Sequence, residues 1–295
     1  MTGADVAGRV ERLTGAAVRE LRATGSQFRW NYYQAVLADG RAVFAKVAAA
    51  GLGGVFDAEA RGLRWLGEAG VARVPEVLGW DDATLVVSQI PPGRADAAAA
   101  ERLGRDLARL HGAGAPRFGA PWPGFIASLF LPNDQPTPAS ATSGPVTWPD
   151  WYRACRVLPY LRLAVDAGTL SRADARLVES AAARAADVAG PDEPPSRIHG
   201  DLWSGNVLWS GGGGWLIDPA AHGGHRETDL AMLVLFGAPY LDQIVGAYTE
   251  TAPLADGWRK RIPLHQLHPL LVHACLFGAS YAGQVRAAAR AALTP

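Results

Sequence analysis

The feature that most constrains this chain is one polar motif beside two short apolar segments. It runs His199-Gly200-Asp201-Leu202-Trp203-Ser204-Gly205-Asn206 and is followed by Asp218-Pro219. The apolar segments, Val207–Trp209 and Trp215–Ile217, predict two strands joined by a glycine-rich turn. A loop of about five residues before such a hairpin lets Asp201 and Asn206 converge on one point, and the hairpin returns Asp218 to it. We therefore expect a fold that brings these three polar side chains together.

The spacing of these residues, H-x-D-x-x-x-x-N and then D, matches the catalytic loop of the protein-kinase fold. In that scheme one carboxylate lies beside the acceptor hydroxyl, while an amide oxygen and a second carboxylate hold magnesium on the phosphates of ATP. We therefore predict that Asp201 is catalytic and that Asn206 and Asp218 bind Mg²⁺. Taken singly, each residue also suits a turn or a strand cap, but their order around the hairpin favours phosphoryl transfer.

One lysine in the first part of the chain is the candidate phosphate ligand. Almost every basic residue is arginine, and lysine occurs only at Lys46 and Lys260. Lys46 lies in an apolar run, where a compact ammonium is not interchangeable with a guanidinium. Glu59 lies at the start of the next predicted helix, and we expect it to pair with Lys46 as in kinases. An exposed acid that complements the helix dipole is the simpler interpretation of Glu59.

Apolar periodicity predicts a strand-rich first part of the chain and a mostly helical second part. The dipeptide Asp39-Gly40 indicates a hairpin. Up to residue 90 the predicted elements are helices at Val6–Leu21 and Phe56–Ala69 and strands at Trp30–Leu37, Arg41–Val47, Val74–Leu78 and Thr84–Ile90. After Pro91-Pro92-Gly93, helical patterns cover Ala95–His111, Asp150–Ala167, Ser171–Ala189 and most of the chain from Asp229, while Pro116–Pro149 is expected to be mostly irregular.

These elements predict an α+β chain with a two-lobed, protein-kinase-like fold. Residues 1–90 would form a small antiparallel β-sheet lobe with one main helix, which binds ATP. Residues 91–295 would form a larger, mostly helical lobe with the catalytic loop, the metal site and the acceptor site. A length of 295 residues is too great for one small domain and suits two lobes or one large α/β unit.

Charge and composition argue against several functional classes. The 28 basic and 28 acidic residues cancel, which removes the electrostatic reason to expect nucleic-acid binding. No apolar run approaches the ~20 residues of a spanning helix, and the N-terminus shows no signal pattern. We therefore expect a cytoplasmic protein without membrane association. Cys155 and Cys275 are far apart and form no CxxC pair, which argues against a disulfide framework or a structural zinc site.

Longer segments resemble the fructosamine kinase (ketosamine-3-kinase) family. They are HGDLWSGN, LIDPAAHGGHRETDLAMLVLFG, PLADGWRKRIPLHQLHPLLVHACLFGASY, FDAEARGLRWL, LGRDLARLHG and WYRACRVLPYLRLA. The resemblance covers nearly the whole chain. It implies ATP-dependent phosphorylation of the 3-hydroxyl of a ketoamine, the adduct that glycation forms on an amine. The phosphate ester is unstable and releases the amine, so the activity would repair glycated amines or proteins.

The resemblance also assigns roles to individual residues. It implies that Lys46 and Glu59 bind the nucleotide phosphates, that the backbone of the inter-lobe linker binds adenine, and that Asp229 supports the catalytic loop. The linker positions are Ser88, Gln89 and Ile90. The phosphate-covering loop would include Gly25, Ser26 and Gln27, where backbone N–H groups could cradle phosphate. Trp203 would be either an aromatic wall for the sugar or a packing residue of the loop. His222 and His225 would be packing residues.

Two alternatives to a ketoamine kinase remain open at this point. The first is another phosphotransferase of the same fold, which acts on an aminoglycoside, an amino alcohol or a plain sugar. A polycationic aminoglycoside would favour an acidic cleft, and the Pro116–Pro149 segment and the residue that follows it offer only Asp134 and Asp150 as acids. The second is a nucleotide-binding scaffold without turnover. The phosphate-loop region contains no cysteine, so we expect no disulfide-linked dimer. The sequence does not identify the sugar or the amine.

Overall fold

The computed structural model describes residues 2–134 and 146–294. In the first of these ranges, five antiparallel strands form one sheet in the order β1-β2-β3-β5-β4. The strands are β1 (Val18–Gln27), β2 (Trp30–Leu37), β3 (Ala42–Ala48), β4 (Val77–Asp81) and β5 (Thr84–Ser88). Helix α1 (Gly3–Thr14) packs on one face of the sheet and helix α2 (Val55–Glu68) packs on the other. The predicted antiparallel sheet with one main helix is confirmed.

Strand β3 shows why this sheet positions a functional side chain. Successive side chains of a strand point to opposite faces. Val43, Ala45 and Val47 are buried against α1, while Phe44 packs on the α2 side. Lys46 belongs to the α2 face by the same alternation. The apolar pattern that forms the strand therefore also directs the ammonium toward α2.

The predicted helix Val6–Leu21 is wrong in its second half. Helix α1 ends at Thr14, because Gly15 adopts a left-handed conformation with φ +72°, which glycine reaches without steric cost. Residues 18–21 belong to β1, which pairs with β2. Val18 and Leu21 are spaced by three residues and therefore also fit a helical pattern, so periodicity alone assigned them to the wrong element.

The rest of the chain is mostly helical. One large apolar cluster, which includes Leu161, Val178, Leu267 and Val285, forms its core. In the described residues after 90 the helices are α3 (Ala97–Gly112), α4 (Trp148–Tyr152), α5 (Leu158–Asp166), α6 (Arg172–Ala183), α7 (Ala185–Val188), α8 (Arg226–Phe236), α9 (Leu241–Thr251), α10 (Trp258–Phe277) and α11 (Ala282–Leu293). A π-helical turn, Arg153–Val157, joins α4 to α5. None of the described helices is long and apolar enough to cross a membrane.

Three short strand pairs complete the helical part. They are β6 (Gly124–Ile126) with β7 (Leu129–Leu131), β8 (Ser196–Ile198) with β11 (His222–Gly224), and β9 (Val207–Ser210) with β10 (Gly213–Leu216). The β9–β10 pair confirms the predicted hairpin. The other two pairs were not predicted, since strands of three residues are too short to show an alternating pattern. The β6–β7 pair lies in the segment 116–149 that was expected to be irregular, and residues 135–145 of that segment lie outside the described residues.

A second apolar cluster joins the sheet-bearing part to the helical part. Leu66 of α2 packs with Leu107 of α3 and with Leu216 of β10. The backbone N–H of Leu216 donates to the carbonyl oxygen of Arg73 at 2.8 Å. The apolar core therefore continues across the junction between the two parts. The division into domains at residue 90 remains a prediction.

Candidate active site

A lysine and two carboxylates meet where the sheet faces the helical part. Lys46 of β3 is 5% exposed. Its Nζ lies 2.8 Å from Oε1 and 3.0 Å from Oε2 of Glu59, and 2.6 Å from Oδ1 of Asp218. Glu59 lies in α2, one turn after the helix begins, and Asp218 follows β10. The predicted ion pair is confirmed, and Asp218 extends it to the helical part.

Burial and charge act in opposite directions on this cluster. Burial alone would lower the pKa of Lys46, but the carboxylates of Asp218 and Glu59 raise it above its usual value. Lys46 therefore carries its charge at every physiological pH. Burial raises the pKa of Glu59 to about 7, and the Lys46 ammonium opposes this shift. The lysine consequently holds the two acids in place by charge as well as by hydrogen bonds.

The catalytic loop, residues 199–206, is held by one buried carboxylate. Asp229 of α8 is fully buried, and its two oxygens accept the backbone N–H groups of His199 at 2.7 Å and Gly200 at 2.9 Å. His111 Nε2 lies 3.1 Å from Asp229, and His111 Nδ1 lies 2.8 Å from the Tyr248 hydroxyl. These contacts confirm the expected role of Asp229 as a support for the loop. The contribution of His111 and Tyr248 was not predicted.

Hydrogen bonds join both ends of the catalytic loop, His199 and Asn206, to Ile217 after the hairpin. The backbone carbonyl oxygen of Asn206 accepts a hydrogen bond from the backbone N–H of Ile217 at 3.1 Å. His199 Nε2 lies 2.9 Å from the carbonyl oxygen of Ile217. Burial lowers the pKa of His199, so a neutral imidazole donates this hydrogen bond. Asp218, the next residue, adopts a left-handed conformation with φ +55°. These constraints place Asp218 beside the loop, as the motif predicted.

Asp201 and Asn206 face each other within the loop. The Asn206 amide Nδ2 donates to the Asp201 backbone oxygen at 2.9 Å and to its Oδ2 at 3.1 Å. Burial, and then the nearby charge of Asp218, raise the pKa of Asp201 to about 8. Among the described residues, the Asn206 amide oxygen and the Asp218 Oδ2 carry no hydrogen bond. Two uncommitted oxygen ligands of this type suit Mg²⁺.

Two pockets meet at this cluster, and both are lined by Lys46, Glu59 and Asp218. The first has a volume of about 170 Å³ and lies under the sheet. Its remaining walls are mainly apolar and include Phe44, Leu63, Leu85, Val87, Leu208 and Ile217. A pocket with mainly apolar walls suits the base of a nucleotide, and the lysine at its end suits the phosphates.

The predicted linker lies at the edge of this first pocket, which Ser88, Gln89 and Ile90 all line. Not all of its backbone donors are free. The N–H of Ser88 donates to Glu76 at 2.8 Å, and the N–H of Gln89 donates to Ala42 at 3.0 Å. The Ile90 N–H has no partner within residues 2–134 and 146–294. Of the three predicted linker donors, the Ile90 N–H is therefore the one that remains available to a ligand in this pocket.

The second pocket has a volume of about 150 Å³ and contains Asp201, Asn206 and Trp203 in its wall. Trp203 is 38% exposed, and its indole lies over Gly205 and edge-on to Phe236. Further walls come from residues that the sequence did not single out: Phe28, Tyr32, Phe125, Ile126, Ala127, His273 and Phe277. These residues lie in the β6–β7 pair, on α10 or near the β1–β2 turn. Tertiary packing brings them to the pocket, and no local pattern marks them.

The predicted phosphate loop is a strand end and not a loop. Gly25 and Ser26 lie in β1, are exposed, and line neither of the two pockets. Gln27 lines the second pocket and accepts a hydrogen bond from the Tyr32 hydroxyl at 3.0 Å. A tight turn at Phe28, with φ +54°, follows. Only the last of the three predicted positions therefore reaches the cleft.

A cleft between an antiparallel sheet and a helical part, with a lysine–glutamate pair and a loop Asp and Asn, defines a phosphotransferase of the protein-kinase-like class. The comparison with known sequences is specific. The chain matches the model of the fructosamine kinase family over residues 17–294, and it belongs to this family. It is therefore a phosphotransferase with a hydroxyl group as acceptor, and the resemblance found in the sequence is confirmed.

Relatives of this chain are found in several bacteria. A protein of Klebsiella aerogenes named "Probable ketoamine kinase" is 34% identical over 232 residues, which cover 77% of each chain. A Thermus thermophilus protein with a similar name is 35% identical over 232 residues, 78% of this chain and 79% of the relative. A crystal structure from Thermobifida fusca, named for fructosamine-3-kinase, has a TM-score of 0.92 at 52% identity and covers 98% of this chain and 99% of its own.

More distant structures share the fold alone. A macrolide 2′-phosphotransferase from Brachybacterium faecium has a TM-score of 0.61 at 19% identity and covers 99% of this chain and 97% of its own. Together with the Thermobifida fusca structure, it confirms the predicted α+β, protein-kinase-like fold.

Proposed function

We propose that this chain transfers the γ-phosphoryl group of ATP to the 3-hydroxyl of a ketoamine, such as a fructosamine or ribulosamine adduct of an amine or lysine. The phosphorylated adduct then releases its amine, so the activity is a deglycation. The family supports a ketoamine as acceptor. The observation that carries the proposal is the junction of two pockets at Lys46, Glu59 and Asp218, with Asp201 in the wall of the second.

The reaction is an in-line displacement at phosphorus. The bond between the γ-phosphorus and the bridging oxygen breaks, a new bond forms to the sugar oxygen, and ADP leaves. Asp201 orients the sugar hydroxyl and, in its ionised form, accepts the proton of this hydroxyl. Lys46 neutralises phosphate charge while Glu59 fixes its position.

The chemistry of the oxygen ligands supports a metal site in the same place. Asn206 and Asp218 would hold Mg²⁺, which neutralises the phosphate charge of ATP when it is bound. The donor nucleotide itself is supported by the apolar first pocket and by the fold. Aminoglycoside phosphotransferases of this fold have been solved with ADP and with streptomycin and ATP.

The test is ADP release from Mg-ATP with four acceptor conditions: a fructosyl-lysine, a ribulosyl-lysine, an aminoglycoside and no acceptor. We expect turnover with the ketoamines only, and the preferred one names the sugar. Asp201→Asn should reduce kcat by about 100- to 10,000-fold, because the proton acceptor is lost, while ATP still binds. Asp192→Asn, at an exposed aspartate, is the matched control and should keep full activity.

Other outcomes separate the alternatives. Turnover with the aminoglycoside alone would keep the mechanism and discard the deglycation role. ATP binding without turnover on any acceptor would support a scaffold. Wild-type turnover by Asp201→Asn would refute the proposed role of this carboxylate.

A further inference from the structure

A buried arginine without a charged partner lies behind the catalytic loop. Arg156, in the turn Arg153–Val157, is only 1% exposed. Its Nη1 donates to the carbonyl oxygens of Pro132 and Cys155, and its Nη2 donates to Asn133 Oδ1 at 2.7 Å. All three acceptors are neutral. A guanidinium stays protonated under these conditions, so the protein encloses a full positive charge.

Within residues 2–134 and 146–294, no acidic group pairs with this charge. Arg156 takes part in none of the salt bridges formed by the described residues. The remaining internal segment, residues 135–145, contains neither Asp nor Glu. The guanidinium stacks on the Trp151 ring at 4.2 Å, and this contact offsets only part of the cost of burying a charge.

A small cavity adjoins the arginine. Arg156, Trp151, His222, His268 and Gly200 contribute to its wall. The space in it that the centre of a water-sized sphere can reach is about 10 Å³. This is room for one water molecule or one monatomic ion. Three buried nitrogens of these wall residues have no partner in the described part of the chain: Arg156 Nε, Trp151 Nε1 and His268 Nε2. The first two are N–H donors in any protonation state.

We propose that this cavity is a binding site for a small monovalent anion of the size of chloride, held by Arg156 with Trp151 and His268 as further donors. A water molecule could accept from only two of the three donors and would leave the charge of Arg156 unbalanced. A monatomic anion can accept from all three donors and also balances the charge. His268 is buried and its pKa lies well below the usual value, so a neutral imidazole can place its proton on Nε2.

The site lies directly behind the reaction centre. Gly200, Thr228 and His268 line this cavity and also a second small cavity that reaches Asp201. An anion at Arg156 would therefore support the strand and loop that carry Asp201. Because it binds the folded chain and has no site in the unfolded chain, it should raise the melting temperature by mass action.

The experiment measures Tm of the full chain while chloride replaces gluconate at constant ionic strength. Gluconate is too large for a cavity of this size. We expect a saturable rise of about 3 °C or more when chloride reaches ten times its Kd. Arg156→Met should abolish the chloride response. Arg153→Met, which changes an exposed arginine of the same turn, is the matched control and should retain it.

A second measurement does not depend on whether the Arg156 variant folds. Crystals of the wild-type protein grown with bromide should show an anomalous difference peak within hydrogen-bonding distance of Arg156 Nε. A Tm that does not change between chloride and gluconate would overturn the proposal. A water molecule, or no density, in the bromide crystals at this position would do the same.

Discussion

Because Gly205 has no side chain, the Trp203 indole can lie directly over it. A Cβ atom at this position would lie 2.2 Å from the Trp203 ring atom Cη2 and 2.4 Å from Cζ2, closer than any packing allows. The indole is held on its other side by Phe236, with ring centroids 6.1 Å apart. The glycine of the motif therefore determines where the Trp203 indole stands in the wall of the second pocket.

A single substitution tests this arrangement. Gly205→Ala should displace Trp203 and reduce kcat/KM for the acceptor by about 10- to 100-fold, because a displacement of about 1 Å in a positioning group is costly. The KM for ATP should not change. Steady-state kinetics with each substrate varied in turn gives both values.

The control for this variant is another glycine. Gly246→Ala changes an exposed glycine of α9 with open space around it, and it should keep wild-type kinetics with a slightly more stable helix. If Gly205→Ala also kept wild-type kinetics, Trp203 would not be part of the acceptor site.

Single residues were predictable where a motif fixed their spacing. Lys46, Glu59, Asp201, Asn206 and Asp218 were predicted from order and residue type, and the structure brings them to one cluster. Their catalytic roles remain predictions. The residues of α10 that line the second pocket could not be predicted, since apolar residues occur on several sides of this helix and no pattern distinguishes the face toward the cleft.

At the level of elements, α10 lacks a backbone hydrogen bond at Pro269, and the hydroxyl group of Tyr152 bonds to the backbone beside this proline. Pro269 has no N–H to donate to the carbonyl oxygen of His265. The Tyr152 hydroxyl donates to Leu264 at 2.8 Å, lies 3.3 Å from the oxygen of His265, and accepts the N–H of His268 at 3.2 Å. One hydroxyl group therefore takes the place of missing bonds within the helix.

Tyr152→Phe should destabilise the fold by about 1–3 kcal/mol, since it leaves buried backbone groups without partners. Thermal unfolding measures this loss as a drop of several degrees in Tm. Tyr240→Phe removes the hydroxyl of a tyrosine that is 44% exposed, and its Tm should change by no more than about 1 °C. Equal Tm values for the two variants would show that the Tyr152 hydroxyl does not support α10.

A buried ion pair joins α8 to α10 and predicts a pH dependence. Arg261 donates to both oxygens of Glu227 at 2.8 and 2.6 Å. Burial alone would raise the pKa of Glu227, but Arg261 and His265 lower it to about 2. A carboxyl with a lowered pKa stabilises the fold above its unfolded pKa of about 4.5, and this contribution is lost as the pH falls toward 2.

Glu227→Gln should therefore cost about 3–5 kcal/mol at pH 7, where it leaves Arg261 buried without its partner. The difference from wild type should shrink between pH 5 and pH 3, as measured by urea unfolding. Glu101→Gln, in an exposed pair with Arg105 at 3.6 Å, should change the unfolding free energy by less than about 1 kcal/mol. A difference for Glu227→Gln that stayed constant with pH would contradict the lowered pKa.

Elements were predictable when a long run of residues kept one period. The hairpin at β2–β3 and the helices α2 and α3 follow their predicted positions within a few residues. Strand β1 was not predicted: its start was assigned to a helix because Val18 and Leu21 fit either period, and its end was assigned to a loop. The π-helical turn and the three-residue strands depend on contacts far along the chain, which local patterns do not contain.

On the scale of the whole molecule, a hydrogen bond from Lys46 to Asp218 crosses the cleft. Lys46 and Asp218 are 172 positions apart in sequence and 2.6 Å apart in space. A nucleotide between the two parts should add further contacts of this kind. We expect Mg-ADP to raise the Tm of the wild-type protein by several degrees, and Asp218→Asn to lose most of this shift.

The exposed variant Asp192→Asn serves as the control here too and should show the full Mg-ADP shift. A full shift in Asp218→Asn would mean that this carboxylate does not contribute to nucleotide binding. Differential scanning fluorimetry with and without Mg-ADP separates the two outcomes.

The charges around Lys46 have a consequence for electroneutrality. Glu59, Asp201 and Asp218 are three acids around one ammonium, which leaves two negative charges when all are ionised. The acids of the cleft balance this excess by binding protons, as the raised pKa values of Glu59 and Asp201 indicate. A divalent cation brings the same balance without protons. A bare nucleotide would add its full negative charge to a negative cleft, and we therefore expect the nucleotide to enter together with a divalent cation that cancels part of this charge.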